Sequence, residues 1–490
     1  MVLQLGLLLS RMTISLFSQE IEMPIQLQEI LSSLPSIWPE NLLPAIQHEI
    51  AQNPASVVVL DDDPTGTQTV YDIPILTSWN SQSIIDEFKM GTSLFYLLTN
   101  SRSMSCARAV NLAVEIGENI LEASRKTGRA FDIISRSDST LRGHFPAEVD
   151  ALAEVIGMEQ AVYIIAPFFE EGGRYTINNI HYVRNGQQLI PAADTDYAKD
   201  VVFGYCNSDL KFWVEEKTRG RISATAVHAL SLEEIRQEGP DYVADKVAEL
   251  KPGSVCVVNA VDYRDLEVSV LGLLRAQRKG QRFLFRTAAS FVRVRAGIKD
   301  RPLLTADKIS DSTHNGGLVV VGSHVSRSSQ QLDYLLEHGN VQSIEVSVDK
   351  ILLEQDREAE IHRSIDFVDN SLSQRRNVVV YTSRKLITGQ DNESSLSIGA
   401  QISRALVKIV RSLNVRPRYI LSKGGITASD IATQALGIVK AKVLGQILPG
   451  VPVWQSGSES RFPGMPYVVF PGNVGSVDAI TEIVNRFGEK

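Results

Sequence analysis

The sequence predicts an α/β protein made of two three-layer domains, each on a largely parallel sheet, with a cleft between them. Three observations lead there. Short β-branched runs recur, each followed by a turn and a helical pattern, the alternation that buries parallel strands between layers of helices. The chain has 490 residues, too many for one compact core. Between Asp300 and Gly316 the pattern lapses into a polar stretch that includes Asp307, Lys308, Ser310, Asp311, Ser312, Thr313, His314 and Asn315 and reads as a linker. The expected organisation is an N-terminal extension over 1–50, a first domain over 51–312 and a second over 316–490.

The elements follow in chain order. The segment 2–9 is apolar, but it lacks a preceding basic region, and Arg11 comes too soon for a bilayer span of about 20 residues. A frayed extension, or a true start at Met12 or Met23, is expected there. From 25 to 46, Leu and Ile alternate with polar residues and prolines, which predicts short helices packed on the body. Strands of the first series are expected at 57–60, 94–98, 131–134, 161–165, 255–258 and 283–285. Those of the second are expected at 318–321, 343–346, 378–381, 419–421 and 467–470. Ile398, Ile402, Leu406, Ile409 and Leu413 recur at helical spacing and mark a core-facing helix, and a further helix is expected from Ile431. No later stretch reaches transmembrane length without a charge or a Gly/Pro break, and no internal repeat is evident.

Composition narrows the function classes. Apolar residues are 43% and charged residues 22%, which excludes wholesale disorder. Lys plus Arg is 49 against 57 Asp plus Glu, a net charge of -8, which supports neither a nucleic-acid partner nor an anionic membrane. Any anionic ligand must then be held by local groups. Cys106, Cys206 and Cys256 are far apart and odd in number, so neither a disulfide framework nor a Cys-x-x-Cys metal site is expected, and a cytoplasmic setting fits. No metal-ligating residues are assigned.

Three stretches carry chemistry. The first strand runs into Asp61-Asp62-Asp63-Pro64-Thr65-Gly66-Thr67, three carboxylates at a strand's carboxyl end, where open α/β sheets place ligands. A solvated turn is the plainer reading, but a plain turn does not need three mutually repelling acids. Two chemistries can use them. A phosphatase of the haloacid-dehalogenase type would use Asp61, Asp63 and Thr65, yet the Gly-Asp pair it also needs is absent from the chain. A sugar-acid kinase would use the acids to bind hydroxyls and to accept a proton. The second stretch, 135–145, places Arg136, Ser137, Asp138, Ser139, Arg142 and His144 after a strand. Arginine grips carboxylates in bidentate fashion, and Asp with Ser reads hydroxyls, so a small polyhydroxy acid suits it. The plainer reading is a helix start capped by Ser137 or Ser139, and His144 can be a packing histidine. The third is a set of glycine loops after strands: Gly322-Ser323, Gly424-Gly425-Ile426-Thr427 and Gly472-Asn473-Val474-Gly475. Such loops turn backbone N–H groups toward an anion, although neither a Walker loop nor a Rossmann fingerprint occurs.

In this order the motifs resemble the four-carbon acid sugar kinase family, which phosphorylates tetronates such as threonate, erythronate and 3-oxo-tetronate with ATP. The likeness covers nearly all of the chain after about residue 50. It rests on Asp62-Asp63-Pro64-Thr65-Gly66, on 135–143, on Gly173-Arg174, His181-Tyr182-Val183, Thr195 and Asp200, and on the three glycine loops. The resemblance implies that Ser323, Gly424, Gly425, Ile426, Thr427 and Gly472 contact ATP. Family members often carry an acid within Gly-Gly-x-Thr and a Lys-Ser before the last loop, where this chain has Ile426 and Phe470-Pro471. Either Lys423 or Mg²⁺ would then cover the lost charge, or this branch uses another acceptor.

The expected activity is an ATP- and Mg²⁺-dependent kinase acting on the terminal hydroxyl of a four-carbon sugar acid to give the 4-phosphate. Asp62 or Asp63 would be the base, Arg136 and Arg142 would grip the carboxylate, and Thr65, Gly66, Asp138 and Ser139 would complete the sugar-acid site. Closure of the two domains over both ligands would exclude water. A Mg²⁺-dependent phosphatase on the Asp61-x-Asp63 loop and a non-catalytic sugar-acid and nucleotide sensor are the alternatives. The partners are small molecules, without nucleic acid or membrane, and a homo-oligomer is compatible with the chain.

Overall fold

The structure, a computed structural model, describes residues 25–309, 313–384, 387 and 392–488. The apolar segment 2–9, Met12 and Met23, and Ser310, Asp311 and Ser312 of the expected linker lie outside them. The described strands include one 15-stranded sheet. In chain order its strands are β1 Ser56–Asp61, β2 Ile73–Leu76, β3 Leu94–Leu98, β4 Phe131–Arg136, β5 Val162–Ala166, β6 His228–Leu230, β7 Val255–Val258 and β8 Phe283–Thr287 in the first half. The second half supplies β9 Leu318–Val321, β10 Val341–Val346, β11 Asn377–Thr382, β12 Ile420–Lys423, β13 Lys440–Leu448, β14 Val451–Ser456 and β15 Pro466–Phe470. Across the sheet the order is β6-β7-β5-β8-β4-β1-β3-β2-β13-β14-β15-β12-β9-β11-β10.

The α/β class and the largely parallel strands are as the sequence predicts, but the two expected sheets are joined. The antiparallel pair β2–β13 joins them, with Ile73 opposite Val443 and Leu76 opposite Lys440. Among the described residues, only this pair and the neighbouring β13–β14 and β14–β15 pairs are antiparallel in the sheet. Side-chain bonds reinforce the joint: Trp454 Nε1 donates to Thr67 Oγ1 at 2.9 Å and Gln68 Nε2 to the Gly450 carbonyl at 3.1 Å, all four residues lying across the two halves. A rotation about the 300–316 segment alone would have to break this ladder.

Each strand runs between two helical layers because alternate residues face opposite ways. Val57 and Val59 join one apolar cluster while Val58 and Leu60 join another. The first cluster continues without interruption into the second half, through Leu318, Val320, Ile420 and Trp454. In the first half α1 Leu43–Gln52, α5 Gly239–Ala248 and α6 Tyr263–Arg278 pack on one face, and α2 Ser81–Lys89, α3 Cys106–Thr127 and α4 Ala147–Val155 on the other. Thus α1, in the expected extension, is part of the body, with Gln47 bonded to the Gly297 carbonyl. In the second half α7 Ser326–His338 packs with α11 Ala479–Gly488 on one face, and α8 Glu354–Ser373 with α9 Asn392–Arg411 and α10 Gly425–Asp430 on the other. A small antiparallel sheet of Ile25–Gln26, Gln188–Pro191, Ile180–Asn185 and Arg174–Ile177, not foreseen from the sequence, projects beside the first half. The cysteines are free. No helix among the described residues is long and apolar enough to cross a membrane.

Candidate active site

The carboxyl ends of the parallel strands form a crest, and the predicted residues gather along it. At the end of β1, Asp61 is fully buried and its Oδ1 accepts from Arg136 Nη1 at 2.9 Å. Gly66 lies so close that a Cβ there would overlap the Asp61 carboxylate. Asp62 Oδ2 accepts from Ser137 Oγ at 2.9 Å. Asp63 caps the short turn Pro64–Thr67, its Oδ1 accepting from the Thr65 N–H at 2.9 Å, and its Oδ2 pairs with Arg102 Nη2 at 2.5 Å. Arg102 also reaches Asp138 at 3.4 Å, and Asp138 in turn accepts from Arg142 Nε at 2.6 Å. Ser139 is buried, and its carbonyl accepts from His181 Nε2 at 2.7 Å.

Burial and pairing set the charges. Burial, with Asp62 and Asp63 adding to it, pushes the Asp61 carboxyl up to about 7 despite the Arg136 guanidinium. Burial acts on Asp63 as well, but Arg102 and the Thr65 bonds outweigh it and hold that carboxyl below the usual range. Asp138 is likewise held well below, burial being overcome by Arg142 and Arg102. His181 is pushed down to about 4 by burial and stays neutral at pH 7.

Two expectations change here. Arg136, expected to grip the substrate's carboxylate, is buried and committed to Asp61, leaving Arg142 and the unforeseen Arg102 as the more accessible cations. Neither Ser137 nor Ser139 caps a helix, because α4 begins only at Ala147. His144 is a packing residue, its Nε2 lying 3.1 Å from the Ser101 and Met104 carbonyls.

On the second half, β15, β12 and β9 are neighbours, so the three glycine loops that follow them adjoin one another. The helix after β9 goes to one face of the sheet and the helix after β12 to the other, which opens a crevice at a reversal of strand order. Ser328 Oγ lies 3.1 Å from Ser323 Oγ and donates to the Gly472 carbonyl at 3.0 Å, tying two of the loops together. Helix α10 starts at Gly425 rather than at the expected Ile431, because β12 runs on to Lys423 and only Gly424 separates them. Gly322, Ser323 and residues 424–427 line a cleft of about 870 Å³ whose other wall includes Ser103, Arg108, Val201 and Val202 from the first half. Gly472 is not among the lining residues and lies beside Ser323. Lys423 does not face the cleft. It is fully buried, its Nζ donates to the Pro471 carbonyl at 2.5 Å and stands 3.9 Å from the Phe470 ring centre, and burial lowers it to about 6.

The two halves come into contact on this crest. A Cβ on Gly425 would overlap the Asp63 carboxylate, whose carbon would be 3.1 Å away. The acidic turn of one half therefore touches the glycine loop of the other.

The chain matches the model of a sugar-binding N-terminal domain over residues 57–295 and that of a nucleotide-binding C-terminal domain over residues 318–480. It belongs to the four-carbon acid sugar kinase family. A D-threonate kinase of Cupriavidus necator is 26% identical over 358 residues, 70% of this chain and 76% of that protein. A D-threonate kinase of Bordetella bronchiseptica is 29% identical over 196 residues, 39% of this chain and 42% of its own length. A D-erythronate kinase of Heliobacterium modesticaldum is 26% identical over 152 residues, 30% of this chain and 32% of its own. The chain thus spans less than half the length of the last two. Solved proteins of Salmonella typhimurium LT2 and Haemophilus influenzae share the fold, with TM-scores of 0.63 and 0.58, identities of 16% and 18%, and coverage of 88% and 87% of this chain and 98% and 99% of theirs.

Within this family framework the residues that sequence reasoning passed over are Arg102 and Tyr197. Arg102 sits at the end of β3, so the strand-end rule that found Asp61 to Asp63 reaches it too. Tyr197 has no such signal: it lies in an irregular segment, and only the folded chain brings its ring within 5.2 Å of the Arg142 guanidinium.

Proposed function

We propose that this member of the family transfers the γ-phosphoryl group of ATP to a terminal hydroxyl of a four-carbon sugar acid of the threonate, erythronate or 3-oxo-tetronate type, giving the 4-phosphate. The contact between Asp63 and Gly425 carries the reading, because it sets an ionised carboxylate against the loop suited to phosphate. In this scheme the sugar acid lies against Arg102, Arg142 and Asp138, and its carboxylate meets the two guanidinium groups. The nucleotide lies in the 870 Å³ cleft, its phosphates toward Ser323 and residues 424–427. The terminal hydroxyl attacks the γ-phosphorus, the bond to the β-phosphate oxygen breaks, and the hydroxyl proton passes to Asp63, with Asp62 as the alternative base. A carboxylate held this acidic takes the proton late, which suits a loose phosphoryl-transfer transition state that depends on positioning and charge. Mg²⁺ bound with the nucleotide would supply the charge neutralisation that Lys423, turned inward, does not.

The phosphatase alternative loses ground on geometry, since Asp61 is buried, bonded to Arg136 and covered by Gly66, which leaves no approach for a phosphate ester. The sensor reading draws support from the burial of Lys423. Turnover of a tetronate panel with ATP, alongside thermal shifts with a non-hydrolysable ATP analogue, decides between them: product formation supports the kinase, and nucleotide binding with no product over the whole panel selects the sensor.

A further inference from the structure

One short segment touches both proposed half-sites at once. Tyr197 presents its ring to two guanidinium groups, with Arg142 5.2 Å and Arg174 5.4 Å from the ring centre. Its hydroxyl accepts from Arg174 Nη2 at 3.3 Å and, across the boundary between the halves, from Asn473 Nδ2 at 2.9 Å. Asn473 belongs to the terminal glycine loop, whose Gly472 carbonyl is tied through Ser328 to Ser323. Three residues after Tyr197, Asp200 lies 3.6 Å from Arg142, and its Oδ1 accepts from the Val202 and Phe203 N–H groups at 2.9 and 3.0 Å. That bond fixes the turn carrying Val201 and Val202, both exposed, onto the wall of the nucleotide cleft.

We infer that Tyr197 is a positioning residue that couples the two substrates: a sugar acid seated on Arg142 sets the ring and the 197–203 turn, and through Asn473 the terminal glycine loop, so that the nucleotide binds more tightly. The inference rests on the proposed kinase reading. Its physical basis is that Arg142 cannot shift toward a bound carboxylate without moving against the Tyr197 ring and Asp200, which together hold groups on the nucleotide side. Stacking on an aromatic face also keeps the guanidinium plane oriented, which an isolated arginine would not do.

Tyr197→Phe tests this, because it keeps the ring under Arg142 and removes only the hydroxyl. Binding of Mg²⁺ with a non-hydrolysable ATP analogue is measured calorimetrically with and without D-threonate or D-erythronate as probe. In the wild-type protein the sugar acid is expected to tighten the nucleotide about 5-fold or more. In Tyr197→Phe that gain should fall below about 2-fold while affinity for the nucleotide alone is retained, and in Asn473→Ala the gain, taken as the ratio of that variant's own affinities with and without the sugar acid, should likewise fall below about 2-fold. Joined in one chain, the two changes should lower the gain no further than either alone, since both remove the Tyr197–Asn473 hydrogen bond. Independent binding of the two ligands in the wild-type protein, an undiminished gain in Tyr197→Phe, or full additivity of the two changes would each overturn the inference. A phosphate-transfer assay on the same wild-type sample judges the kinase reading separately: coupled binding without transfer leaves the coupling standing and removes the kinase.

Discussion

On the sugar-binding half the strand ends carry charge, in two adjacent sets of ion pairs with separations from 2.5 to 3.5 Å: Arg136 with Asp61 and Asp62, and Arg102 and Arg142 with Asp63 and Asp138. On the nucleotide-binding half the corresponding ends carry glycine, and Lys423, the charged side chain in the loop motif, turns inward to Pro471. Under the proposed function, the difference is how a chain of net charge -8 would host two anions. One half does it with buried side-chain charges, each needing a partner because an unpaired buried ion is costly. The other offers backbone N–H groups, which carry no net charge and so need no counter-ion. The comparison predicts that the charged half fails by losing partners, and the glycine half by losing space.

The largest effect should follow from Asp63→Asn, which keeps the shape and removes the proton acceptor: turnover should fall about 10²–10⁴-fold in a coupled kinase assay. Asp62→Asn belongs beside it, and wild-type rates in both would place the base outside this turn. Asp61→Ala leaves the buried Arg136 with only its longer, 3.5 Å contact to Asp62 and should cost about 3–5 kcal/mol of stability in denaturant unfolding. If the cost is under about 1 kcal/mol, the charged half does not depend on pairing as described. Gly425→Ala adds one methyl where Asp63 stands, and displacing that carboxylate should lower turnover about 10²-fold with little change in melting temperature.

The smallest effect concerns Lys423. Its value in the folded chain, about 6, lies below the ordinary 10.5, so between these pH values the unfolded chain holds a proton that the folded one does not, and stability rises with pH. Lys423→Met keeps packing over Phe470 and should remove that rise, a slope of at most about 1.4 kcal/mol per pH unit, seen as a flatter melting temperature from pH 7 to 9. A variant as steep as the wild-type protein would mean that Lys423 stays charged where it is buried.

Much of this architecture was legible because a strand buried on both faces writes itself as a continuous apolar run, as at Val57, Val58, Val59 and Leu60. The strands that join the halves do not. Pro74 interrupts β2, Lys440 and Lys442 open β13, and Gly445 breaks its middle, so nothing in either stretch announces a central strand. The small sheet at 174–191 escaped notice for a similar reason, its exposed ends being Arg184 and Asn185. For the site, acids and glycines at strand ends could be read because a topological rule points there. What a side chain does after arriving could not. That Arg136 serves Asp61, that Lys423 turns inward and that Tyr197 reaches Asn473 depend on orientations that only the packed chain sets.

The ladder between Ile73–Leu76 and Lys440–Leu448 also bears on how this molecule could be divided. Cutting the chain within 300–316 would leave each fragment with a raw strand edge, the kind of surface that recruits any available partner. Each fragment would also carry the complement of the other's edge, with Thr67 and Gln68 on one and Trp454 and Gly450 on the other. The pieces are thus built to find each other: made together they should reassemble, and made singly they should aggregate.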